Sequence, residues 1–283
     1  MTNCIEIQGL CKQYDQFQLE DITFTVPGGS IVGLIGENGA GKTTTLKSIL
    51  GLVHPDGGAI ALFDGAPDAA ARQEIGLVLD DCFFHDTLRP KDVDAILAPI
   101  YQNWDSALFA AYLQKFSLPE RKYIKEFSRG MKVKLSLAAA LSHSPKLLIL
   151  DEATSGLDPV VRDEILDEFL AFVSDDDHAI LISSHIISDL EKVADYIAYI
   201  HQGTLILFER KDAILEYYGR LACTRQQLAE VVPEDLLRVK KSNFTCEGLV
   251  ENRSAFQRKY PSLLVEPISL EEIMVFFGKG EPA

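Results

Sequence analysis

Residues Ser30–Ile35 form a short apolar run, and the chain passes from it directly into Gly36-Glu37-Asn38-Gly39-Ala40-Gly41-Lys42-Thr43-Thr44. This segment fits the pattern G-x-x-x-x-G-K-S/T and constrains the fold more than any other feature. Its glycines let the backbone turn tightly, so that successive N–H groups point at one place. From Thr43 onward Leu46, Ile49 and Leu50 recur on one face, the periodicity of a helix, and Gly51 is a natural stop. A glycine-rich loop between a buried strand and a helix N-terminus is a cradle for phosphate, because the helix dipole there favours negative charge. Lys42 can reach the β and γ phosphates of a nucleotide, and the Thr43 hydroxyl can ligate Mg²⁺.

A second motif answers the first. Lys146-Leu147-Leu148-Ile149-Leu150-Asp151-Glu152 is an apolar strand ending in two carboxylates. Ligands of open α/β sheets bind beyond the carboxyl ends of the strands, where these acids fall. Asp151 is placed to hold Mg²⁺, and Glu152 is the candidate general base for a water attacking the γ-phosphate. Together the two motifs describe a P-loop NTPase.

The surrounding pattern predicts an α/β fold. Ile5 and Ile7, and then Ile22, Phe24 and Val26, alternate with polar neighbours, and Pro27-Gly28-Gly29 is a turn. Ile60–Phe63 and Ile75–Leu79 are further short strands. Residues from about 88 to 143 turn helical, with Asp105 or Ser106 as one cap and Gly130–Leu141 as a second helix. Strand and helix then alternate: Leu147–Leu150, Pro159–Val173, Ala179–Ser183, Ile187–Val193. A hairpin at Gln202-Gly203 follows. The expected architecture is an N-terminal antiparallel β subdomain, a central mostly parallel sheet and an inserted helical subdomain. Residues 1–218 form the main domain, and 219–283 a small C-terminal α/β extension. That extension is more charged and harder to read, apart from a capping box at Ser269 and Glu272 that opens a final helix.

Composition excludes several classes. The chain has 283 residues and a net charge of −15, which argues against nucleic-acid binding and against docking on anionic lipid by charge alone. Five scattered cysteines (Cys4, Cys11, Cys82, Cys223, Cys246) without a C-x-x-C pair argue against a disulfide framework or zinc site, and suit a reducing cytosol. The first residues lack the basic and apolar regions of a signal peptide, and no run of apolar residues is long enough to span a membrane.

Four further features narrow the reading. Phe127-Ser128-Arg129-Gly130-Met131 stands just before a helix, Ser155-Gly156-Leu157-Asp158 follows the acidic pair, Ser184-His185 ends the next strand, and Tyr14 precedes the P-loop. In this order the set resembles the ATPase subunits of ABC transporters over about residues 1–215, and within them the bacterial exporters of multidrug and bacitracin type. The resemblance implies that Tyr14 stacks on adenine. It implies that Ser128 and Gly130, as the signature motif, contact the γ-phosphate of ATP held by an opposite subunit. Asp158 then lines the dimer interface, and His185 senses the γ-phosphate and joins Glu152 in catalysis. The expected reaction is ATP hydrolysis with Mg²⁺, by two ATPase subunits, alike or different, closed over two nucleotides. The expected partner is a separate integral membrane permease. The place implied is the inner face of the cell membrane, reached from the cytoplasm through that permease. Residues Asp80–Ile100, with Phe83, Phe84, Leu88 and Ile96, are the expected docking segment. Two other readings fit the same motifs: a soluble ABC ATPase such as the iron–sulfur assembly type, and a regulatory ATP-binding subunit with weak hydrolysis.

The chain departs from the family in three places, at five positions. Phe127, Arg129 and Met131 replace the usual Leu, Gly and Gln of the signature. Asp80 stands where a glutamine is normal; a carboxylate can ligate Mg²⁺, but it adds negative charge beside the triphosphate. Lys134 replaces a common arginine.

Overall fold

The computed structural model describes residues 2–241 and 245–282. The chain divides into two compact units, residues 1–208 and 209–283. The division falls somewhat before Tyr218, where the composition changes.

The first unit runs β1 (Asn3–Gln13), β2 (Gln18–Pro27), β3 (Ser30–Ile35), α1 (Lys42–Ile49), β4 (Gly57–Leu62), α2 (Ala69–Gln73) and β5 (Ile75–Val78). A helical stretch follows: α3 (Pro90–Leu97), α4 (Ser106–Lys115), a short 3-10 turn and α5 (Arg129–Leu141). Then come β6 (Leu147–Asp151), α6 (Pro159–Phe172), β7 (Ala179–Ser183), α7 (Ile187–Val193), β8 (Tyr196–His201) and β9 (Thr204–Arg210).

The nine strands form one sheet in the order β4-β1-β2-β9-β8-β3-β7-β6-β5. β1 pairs antiparallel with β2 and with β4. β3, β5, β6, β7 and β8 pair parallel. The antiparallel group is joined to the rest through one parallel residue pair, Glu20 with Thr204, supported by Glu20 N–H donating to the Gly203 carbonyl at 2.9 Å. Every residue of β3 and β7 is buried, as expected of parallel strands covered on both faces. β2 instead alternates between buried and exposed residues. The core between sheet and helices holds Ile5, Phe24, Val32, Leu46, Ile149 and Leu181.

Helix starts follow their caps. The Asp105 carboxylate accepts from the Ala107 and Leu108 amides at the head of α4, and the Ser128 hydroxyl accepts from the Met131 amide at the head of α5. Most of α5 is buried, from Val133 to Leu141.

The second unit contains α8 (Lys211–Tyr217), β10 (Gly219–Cys223), α9 (Arg225–Leu228), β11 (Arg238–Lys241), β12 (Cys246–Val250), α10 (Arg253–Lys259), β13 (Val265–Glu266), α11 (Leu270–Lys279) and β14 (Glu281–Pro282). Its five-stranded sheet runs β13-β10-β12-β11-β14, antiparallel throughout, over a core of Leu221, Val239, Val250, Phe256 and Leu263. Ser269 and Glu272 form the expected capping box of α11. No helix among the described residues is long and apolar enough to cross a membrane.

Candidate nucleotide site

Parallel pairing brings distant sequence motifs to one edge. β3, β7, β6 and β5 are consecutive neighbours pointing the same way, with Leu34 opposite Ser183, Ser183 opposite Asp151, and Leu150 opposite Val78. The loops leaving their carboxyl ends are therefore adjacent: Gly36–Gly41 after β3, Ser184 and His185 after β7, Glu152 after β6, and Asp80 after β5.

The P-loop turns from β3 into α1. Gly41 has φ +117°, and a Cβ there would lie 2.4 Å from Leu19 Cδ2 and 3.0 Å from Phe17 Cζ. Only glycine allows both that dihedral and that approach. The contact also sets the loop beside the β1–β2 connection that carries Tyr14, whose side chain is exposed and whose amide donates to the Phe17 carbonyl at 2.8 Å. Glu37, Asn38 and Gly39 are exposed, while Gly36, Ala40 and Gly41 are buried. The amide of Ala40 donates to Glu37 O at 3.0 Å, and the amide of Gly203 to Ala40 O at 3.0 Å. No side chain caps α1, and Thr43 and Thr44 sit in its first turn. Lys42 is buried, and its Nζ donates to the carbonyls of Gly36 at 2.8 Å and Glu37 at 3.3 Å.

The acidic pair divides its partners. Asp151 Oδ1 accepts from the Ser183 hydroxyl at 2.5 Å, and Oδ2 from the Thr43 hydroxyl at 3.3 Å. Glu152 has φ +54°, an uncommon value for a residue with a side chain. Its amide donates to Ser183 O at 3.0 Å, which fixes this turn. Its Oε1 lies 3.7 Å from Lys42 Nζ, and its Oε2 meets the Nδ1 of His185 and accepts from the His185 amide at 3.4 Å. Lys42, Thr43, Asp151, Glu152 and His185 are thus one connected cluster.

The remaining candidates form a second group. Ser128 heads α5, and a Cβ on Gly130 would lie 3.1 Å from Val161 Cγ1 of α6. Asp158 caps α6, accepting from the Val160 and Val161 amides at 3.2 and 3.1 Å. Asp80 bonds to neither Thr43 nor Asp151; its carboxylate pairs with the Arg129 guanidinium. Ser183 and Arg129 are the polar partners that motif reasoning did not assign. Arg129 was visible as an oddity of the signature, and the charge opposite it, Asp80, was visible as a second oddity.

The donor set suits magnesium. Mg²⁺ usually takes one or two protein oxygens and keeps substrate phosphates and waters for the rest. The Thr43 hydroxyl beside a half-buried Asp151 provides such a pair, whereas no group of three or more acidic, histidine or cysteine side chains among the described residues is arranged to hold a metal ion by itself.

Comparison with known proteins identifies the family. The family profile described as "ABC transporter" matches residues 19–155, which include the P-loop and the acidic pair. The ABC transporter ATP-binding protein YtrB of Bacillus subtilis is 34% identical over 290 aligned residues, covering 97% of this chain and 99% of that protein. The chain belongs to the ABC transporter family. Its motif-bearing unit is an ABC ATPase, which binds and hydrolyses ATP. The Nod factor export ATP-binding protein I of Burkholderia lata is 36% identical over 225 residues, covering 75% of this ABC ATPase and 72% of that protein. A solved structure described as the ATP-binding subunit of an ABC transporter superposes with a TM-score of 0.68 at 29% identity, covering 80% of this chain and 93% of the other.

Proposed function

We propose that this ABC ATPase works as a nucleotide sandwich that drives a separate membrane permease in export. The observation that carries the reading is the Glu152 carboxylate, held between Lys42 and His185 beside the Thr43–Asp151 pair.

Each residue's task follows from its chemistry. The uncapped amides of α1 and the P-loop N–H groups bind the phosphates. The Lys42 ammonium turns from the Gly36 and Glu37 carbonyls to the β and γ phosphates. Thr43 and Asp151 would hold Mg²⁺, which when bound neutralises charge across those phosphates. Glu152 takes the proton of the attacking water as its oxygen bonds to the γ-phosphorus and the bond to the β-phosphate oxygen breaks, giving ADP and phosphate. His185 keeps Glu152 Oε2 in place through its amide and ring and senses the γ-phosphate. Tyr14, exposed on the hairpin beside the loop, offers a ring face to adenine.

Ser128 and Gly130 of a second subunit complete each site. The start of α5 offers backbone amides and the Ser128 hydroxyl on an exposed surface, the right chemistry for a γ-phosphate arriving from outside the chain. Only the triphosphate bridges both anion sites, so ATP closes the pair and hydrolysis opens it. Asp158, exposed at the head of α6, faces the seam between subunits.

The permease reading is supported by the full-length likeness to YtrB, and the outward direction by the likeness to the Nod factor export protein. Phe83, Ile96 and Ile100 are large apolar side chains left exposed within the expected docking segment. In this reading the subunit sits on the cytoplasmic face of the membrane through its permease.

Solution mass tests the sandwich. The Glu152→Gln variant should double its mass with MgATP and not with MgADP, and adding Ser128→Arg should abolish the doubling. A one-chain mass in MgATP, both alone and with membranes carrying the permease, would contradict it.

A further inference from the structure

The two family departures at Asp80 and Arg129 touch each other. Asp80 follows β5 and Arg129 opens α5, yet the Asp80 Oδ1 is paired with Arg129 Nη2. The same guanidinium uses its Nε to donate to the Ser155 carbonyl at 2.8 Å. Ser155 belongs to the turn that follows the general base, and its amide donates to Glu152 O at 3.0 Å. Gly156, at φ +66°, bares this backbone: a Cβ there would lie 3.1 Å from Arg129 Nε.

A second ion pair repeats the arrangement one turn along α5, where Lys132 Nζ lies 3.0 Å from Asp86 Oδ1. Backbone bonds clamp the same loop: Ile124 N–H to Leu88 O at 2.9 Å and Lys125 N–H to Asp86 O at 3.1 Å. The loop from Asp80 to Leu88 is therefore fastened along the head of α5, with Arg129 at the end nearest the acidic pair.

Neither charge suits its position alone. A free carboxylate after β5 would repel a triphosphate, and a free cation in the first turn of α5 opposes the helix dipole. Side by side they neutralise each other. Both side chains are about half exposed, so the pair adds little to global stability. What a planar guanidinium adds is direction, since its fork fixes two acceptors at once.

We propose that Arg129 is a positioning residue for ATP hydrolysis: its guanidinium ties Asp80 to Ser155 and so holds the turn that carries Glu152. Asp80 is in this account a tether and not a magnesium ligand. The inference rests on Glu152 as the base, and the contacts it invokes all lie within one chain.

The test is a mutant cycle read by steady-state phosphate release, with thermal unfolding and Mg²⁺ titration of each variant. Arg129→Ala and Asp80→Asn should each lower kcat about tenfold with KM for ATP changed less than about twofold, and the double variant should be no slower than either single one. Arg129→Lys keeps the charge and loses the fork, so it should fall between parent and Arg129→Ala. The half-saturating Mg²⁺ concentration and the melting temperature should not move. Multiplying effects in the double variant, or parent rates in both single ones, would overturn the proposal. So would a raised Mg²⁺ requirement in Asp80→Asn alone, which would make Asp80 a metal ligand. Failure of Glu152 as base would show separately, as a Glu152→Gln variant with the parent rate.

Discussion

The imidazole Nδ1 of His185 meets the Oε2 of Glu152 where the loops after β7 and β6 run side by side. Because Glu152 Oε1 also lies 3.7 Å from Lys42 Nζ, the carboxylate is held from two sides. His185→Ala removes one of these holds and leaves the P-loop intact. The expected result is a kcat lower by about 10²-fold with KM for ATP changed less than about threefold. Phosphate release under saturating MgATP measures it.

Gly41→Ala should damage binding first. The substitution forces a side chain onto φ +117° and places a Cβ 2.4 Å from Leu19 Cδ2. Strain of about 1–3 kcal/mol in the loop weakens nucleotide affinity by about 5- to 150-fold. Titration with a fluorescent ATP analogue checks this against the parent chain.

How far the sequence could be read depended on the range of the forces involved. Strands such as β3 and β7 were legible because parallel pairing buries both faces and leaves continuous apolar runs. The caps at Asp105 or Ser106 and at Ser269 were legible because capping is a local bond. The one-sheet continuity through Glu20 and Thr204 was not, since one pairing between distant segments leaves no periodicity. The sheet of the second unit was equally hidden: its strands are short, and β10, with Arg220 among its residues, mixes charge with Leu221 and Cys223. At the site, the two motifs pointed to Lys42, Asp151 and Glu152 and the family resemblance to His185, and the structure brings these four side chains together. The motifs did not show that Ser183 holds Asp151 or that Arg129 faces Asp80, because both contacts depend on which strands and helices are neighbours.

Thr43→Ala should raise the magnesium requirement. The hydroxyl lies 3.3 Å from Asp151 Oδ2 and is the candidate ligand on the helix side. Loss of one ligand or of its orienting bond weakens a metal site by about tenfold or more. The Mg²⁺ dependence of ATP hydrolysis measures the shift, and an unchanged half-saturation point would remove Thr43 from the site.

His143 should make stability depend on pH. Its ring is buried against Tyr101, with centroids 3.9 Å apart, and Nε2 lies 3.1 Å from the Ile75 carbonyl. Burial lowers its pKa below the ordinary 6.5, although the bond to Ile75 opposes the shift. The unfolded chain therefore takes up a proton near pH 6.5 that the folded chain accepts only at lower pH. Stability from this group is full above pH 6.5 and is lost as pH falls below it, by at most about 1.4 kcal/mol per pH unit. Urea unfolding between pH 7.5 and 5 should show the slope, and His143→Gln should flatten it.

The most direct measurement is the rate of ATP hydrolysis by Glu152→Gln beside its affinity for ATP. The amide keeps the shape of the side chain and cannot take the proton of the attacking water. The account predicts affinity within about threefold of the parent and turnover lower by at least about 10²-fold. Turnover at the parent rate with ATP still bound would contradict it.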